Sequence, residues 1–79
     1  MHRRLIDFIS DTEERITIFK DRVHVINYTK ILSLEDERIS FLTKEKRFVI
    51  KGKNLVVIRL LEDEMLIKGE IMGIEVSSV

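Results

Sequence analysis

Apolar and polar residues alternate with period two along most of this chain, the spacing of strands that bury one face. Arg15-Ile16-Thr17-Ile18-Phe19 is the first clear instance. Lys20-Asp21 then serves as a two-residue hairpin link, although the preferred hairpin pairs contain glycine. A second strand follows from Arg22 to Tyr28. Ile31 to Leu34, Arg38 to Leu42 and Arg47 to Lys51 extend the series, joined by Glu35-Asp36-Glu37 and Lys44-Glu45-Lys46.

The stretch from Phe48 to Val76 holds two near-copies of one phrase. Phe48-Val49-Ile50-Lys51-Gly52 leads into Leu55-Val56-Val57-Ile58, and Met65-Leu66-Ile67-Lys68-Gly69 leads into Ile71-Met72-Gly73-Ile74. A glycine that interrupts an apolar run marks a turn, a bulge or a close backbone approach. The pattern predicts consecutive antiparallel strands with tight links, with Glu62-Asp63-Glu64 as the turn between copies. Leu34-Glu35-Asp36-Glu37 and Leu61-Glu62-Asp63-Glu64 echo each other as acidic hairpin tips, charged ends that discourage aggregation between strands. The expected fold is all-β, a small antiparallel meander of about seven or eight short strands, barrel- or sandwich-like.

Residues 1–12 stand apart from this pattern, and 13–79 read as one β domain. Leu5, Phe8 and Ile9 share one helical face, which is compatible with a short N-terminal helix and with an apolar contact for a membrane surface or partner, helped by Arg3 and Arg4. Ser10-Asp11-Thr12-Glu13 matches a helix capping box, but the period-two run that follows overrides it.

Leu55-Val56-Val57-Ile58 and Leu60-Leu61 are apolar on both alternation faces, which a strand covered on one side does not require. With 79 residues there is little chain for a second layer, so a homo-oligomer is expected. Composition points the same way. The chain has no cysteine and only two histidines, so neither disulfides nor structural zinc supplement a small core. Fourteen basic and fourteen acidic side chains cancel, giving no overall field to attract nucleic acid. No apolar run reaches transmembrane length and no export signal is evident, so a soluble cytoplasmic protein is expected.

Candidate chemistry is sparse. His24 lies between Val23 and Val25 without a serine, cysteine or second histidine at useful spacing. The acidic triplets lack the ligand spacing and glycine of a calcium loop. Phosphate loops, dinucleotide fingerprints and nucleophile elbows are absent from the sequence, so no catalytic residue, metal, cofactor or small-molecule substrate is expected. Lys44, Lys46, Arg47, Lys51 and Lys53 form the one basic cluster, with Phe48 beside it. Such a face suits single-stranded nucleic acid, the alternative function, or anionic head groups. Neutral charge and few aromatics weigh against nucleic acid.

Taken in order, Arg15-Ile16-Thr17-Ile18, Val25-Ile26-Asn27-Tyr28 with Lys30-Ile31-Leu32, Ile39 to Thr43, Ile50-Lys51-Gly52-Lys53-Asn54-Leu55 and Ile67-Lys68-Gly69-Glu70-Ile71 are a series with a known counterpart. It resembles the YabP/YqfC family of bacterial sporulation proteins, and the YqfC branch most. The similarity covers about residues 14–76. The resemblance implies a non-enzymatic β protein of endospore-forming Firmicutes, made in the mother cell. It further implies a structural or assembly role, through self-association and a membrane-bound sporulation partner at the forespore surface. The residues themselves, with the N-terminal ones outside the resemblance, offer Leu5, Phe8, Ile9, Lys44, Lys46 and Arg47 as the candidate interaction surface. Asn27, Gly52, Asn54 and Gly69 become structural turn residues, the asparagines bonding backbone through their side chains and the glycines sitting at positive φ.

Overall fold

The structure, a computed structural model, describes residues 4–9 as backbone and residues 14–79 in full. The capping-box residues 10–13 lie outside the described residues, as do the side chains of Leu5, Phe8 and Ile9. Among the described residues there are seven strands: β1 (Arg4–Ile9), β2 (Arg15–Phe19), β3 (Arg22–Ile26), β4 (Lys30–Glu35), β5 (Arg38–Leu42), β6 (Lys46–Leu60) and β7 (Glu64–Ser78). They form one antiparallel sheet in the order β1-β2-β3-β7-β6-β5-β4. The sheet is open, with β1 and β4 at its edges.

The N-terminal segment is a strand and not the helix its apolar spacing permits. Arg4–Ile9 runs antiparallel to β2, with Ile6 opposite Ile18 and Phe8 opposite Ile16. An isolated two-turn helix carries the full nucleation cost, whereas β2 offers a ready row of backbone partners.

The second difference lies in the last third of the chain. Phe48–Ile50 and Leu55–Ile58 were expected as separate strands with a tight link, but both belong to the fifteen-residue strand β6. Likewise Gly69 lies within the fifteen-residue β7, not at a chain reversal. The only reversal here is at residues 61–63. What Gly52 and Gly69 mark are register shifts, between Lys51 and Gly52 and between Lys53 and Val56; a third, between Val57 and Arg59, involves no glycine. Bulges of this kind bend and twist a ladder without ending it.

Each long strand therefore has two halves with different neighbours. The first half of β6 pairs with β5, and the first half of β7 pairs with β3. Beyond these segments, among the described residues, β6 and β7 pair as strands with each other alone, apart from single backbone bonds such as those from Gly52, Leu55 and Gly69 to the neighbouring hairpin turns. One apolar cluster forms the core, drawing Ile16, Ile18, Val23, Val25, Met65 and Ile67 from one end of the sheet. Ile39, Phe41, Phe48, Ile50 and Leu55 enter it from the other end. Phe41 and Phe48 stack with centroids 5.3 Å apart and planes 14° from parallel. Full burial of each such side chain contributes about 1.5–3 kcal/mol.

Candidate interaction surface

The four residues singled out for turns all sit where backbone geometry is demanding. Asn27 has φ 65° and Asn54 has φ 55°, both in the left-handed region that asparagine tolerates better than most residues. The Asn27 backbone N–H donates to the Asp63 carbonyl at 2.6 Å, and the Tyr28 hydroxyl donates to the Leu61 carbonyl at 2.6 Å. The β3–β4 connection thus ties down the tip of the β6–β7 hairpin.

The two glycines differ from one another. Gly69 has φ 148°, as expected. Gly52 does not have positive φ; its requirement is space. A Cβ there would lie 2.1 Å from the Glu70 carbonyl oxygen, inside any possible contact distance. A Cβ on Gly69 would lie 2.8 Å from the Asn54 carbonyl oxygen, so the glycines mark where β6 and β7 cross at closest approach.

The basic cluster is not assembled into one face. Strand alternation puts Lys46 on the side of Phe48, and Arg47 and Lys51 on the other. Lys46 lies 3.9 Å from the buried Glu14 carboxylate, and Lys51 donates to Glu75 at 2.8 Å. Lys44 is exposed in the β5–β6 link. Phe48 is 1% exposed and stacked on Phe41, so its ring is withdrawn from any base it was expected to meet. On the opposite end of the sheet the His24 imidazole is hydrogen-bonded to Glu64, a diagonal neighbour on β7, on the face away from Val23 and Val25. Among the described residues no group of three His, Cys, Asp or Glu is placed to hold a metal ion.

The largest exposed apolar feature is the second half of β6 and its tip. Val56 is 55% exposed, Ile58 51%, Leu60 50% and Leu61 50%. Leu60 stands opposite the fully buried Met65, on the core side, yet remains half in water because no strand of the described residues lies beyond it. The last bond on that side is from the Leu55 amide to the Asp36 carbonyl at 2.8 Å. The signal of this apolar feature in the sequence is the loss of alternation at 55–61, the pattern from which a homo-oligomer is expected.

Lys51 and Glu75 carry the clearest electrostatic coupling. The hydrogen bond and charge of Lys51 hold the Glu75 carboxyl below the usual carboxylate range, with a smaller pull from Arg38. Both groups are in water, so this pair shapes the surface more than it stabilises the fold. No family model, no curated protein and no solved structure matches this chain.

Proposed function

We propose that this chain is a non-catalytic assembly protein that acts by self-association and by binding another protein. The observation that carries this is the half-exposed apolar side chains Val56, Ile58, Leu60 and Leu61, which lie on both faces around the part of β6 that β5 leaves unpaired among the described residues. Apolar side chains beside an open edge suit recognition by an added protein surface. The YabP/YqfC-like phrases supply the setting: the mother-cell cytoplasm of an endospore former, with a membrane-bound sporulation protein at the forespore as partner.

Heat-resistant spore counts test both parts. Deleting the gene is expected to lower the count by orders of magnitude, with rescue by the intact gene. Rescue with Ile58→Lys is expected to fail while the protein accumulates normally, because an exposed substitution shifts stability by only about 0.5 kcal/mol. A parental count in the deletion strain overturns the sporulation setting. Full rescue by Ile58→Lys overturns the strip as the contact.

A further inference from the structure

The sheet contains the same three-strand unit twice, and the two copies are finished differently. In one copy β3 pairs with β7 so that Arg22 faces Lys68, Val23 faces Ile67, His24 faces Leu66 and Val25 faces Met65. In the other β5 pairs with β6 so that Arg38 faces Lys51, Ile39 faces Ile50, Ser40 faces Val49 and Phe41 faces Phe48. The third strands correspond as well: Ile18 faces Val23 and Ile16 faces Val25, as Leu34 faces Ile39 and Ile31 faces Phe41. Both units close on a glycine. The Gly69 amide donates to the Asp21 carbonyl of one hairpin turn, and the Gly52 amide to the Glu37 carbonyl of the other. The repeated Ile-Lys-Gly phrase is the sequence trace of this duplication.

The outer strand of the first unit, β2, is covered by β1. Its counterpart β4 is the bare edge of the sheet. Leu32 on it is 42% exposed and Leu34 is 53% exposed, although Leu34 stands on the core side opposite Ile39.

The geometry points to a second copy of this chain as the occupant: β4 pairs antiparallel with β4 of another molecule about a two-fold axis between Leu32 and Ser33. This inference rests on the self-associating reading above and gives it an edge and a register. In that register Lys30 faces Glu35 of the second copy, Ile31 faces Leu34, and each pair occurs twice. Residues five or three apart normally point to opposite faces and so cannot pair across such an axis. Here the bulge between Ile31 and Ser33 removes the conflict. Ile31 and Leu34 both stand opposite buried core residues, Phe41 and Ile39, while Lys30 and Glu35 stand opposite Leu42 and Arg38 on the other face. Self-pairing therefore puts apolar against apolar on the core side and cation against anion on the other face, as cross-strand pairs require. It also repeats what β1 does for β2, where apolar residues oppose Ile16 and Ile18. A two-fold contact of this type is isologous and closes at two copies.

Sedimentation of the full chain and its charge variants tests the pairing. The wild type is expected to form a dimer. Lys30→Glu alone and Glu35→Lys alone each set like charges opposite one another twice, and each is expected to weaken the dimer roughly tenfold. An equimolar mixture of the two variants restores both attractive pairs, as does the double variant, and both are expected to regain wild-type association. A single-chain wild type up to millimolar concentration overturns the inference. So does wild-type association by either single variant, or a mixture that stays dissociated. Ile58→Lys separates the two surfaces: it is expected to dimerise normally whatever its effect on sporulation, and a fall to single chains would place the contact on β6 instead.

Discussion

A single methyl group at position 52 has nowhere to go. The Glu70 carbonyl oxygen occupies its place and belongs to backbone that is itself held in the ladder. Gly52→Ala is expected to cost about 2–4 kcal/mol, and Gly52→Val more, read as a lowered melting temperature. Gly73→Ala is the control, because a Cβ at that position meets nothing within 4 Å and stability should move by less than about 0.5 kcal/mol. At Asn54, with φ 55°, glycine should be accepted with little change while Asn54→Val should cost about 1–3 kcal/mol. Glu75 gives a pH signature. Its folded-state pKa is lowered by Lys51, so its contribution is present above the unfolded carboxylate pKa and is lost as pH falls through the lowered folded value. The melting-temperature difference between wild type and Glu75→Gln should shrink across that acid window, and added salt should shrink it at neutral pH.

Strand positions from Arg15 to Leu42 were legible from the alternation of apolar and polar residue types. The Lys20-Asp21 link and the strands 15–19 and 38–42 follow the pattern residue for residue. Two things were hidden. One was β1, where Leu5, Phe8 and Ile9 suit a helix as well as a strand and only the neighbouring edge decides. The other was the continuity of β6 and β7, since a glycine at a hairpin and a glycine at a bulge look alike in sequence. Lys51-Gly52-Lys53-Asn54 and Lys68-Gly69-Glu70 read as polar turns, and only the pairing across β6 and β7 shows them as bulges. The apolar strip was visible as lost alternation, but nothing local reveals that β5 stops at the Lys51 pairing and leaves 56–60 open. The placement of Phe48 was also local: alternation assigns it to the core face with Ile50, which takes the one aromatic away from the basic cluster.

At the level of the whole molecule, the two three-strand units are not separable pieces. Each takes its third partner from a hairpin that both own, and the strands of that hairpin cross where Gly52 meets Glu70 and Gly69 meets Asn54. Neither unit can come apart without stripping the ladder that the other uses. Amide hydrogen exchange should therefore find one opening event for the protein: the slowest amides of β3 and of β5 should exchange with the same free energy and the same denaturant dependence. A chain cut in the β3–β4 connection should not yield two folded fragments, yet the two pieces should reassemble when mixed, because each carries ladder groups that only the other can satisfy.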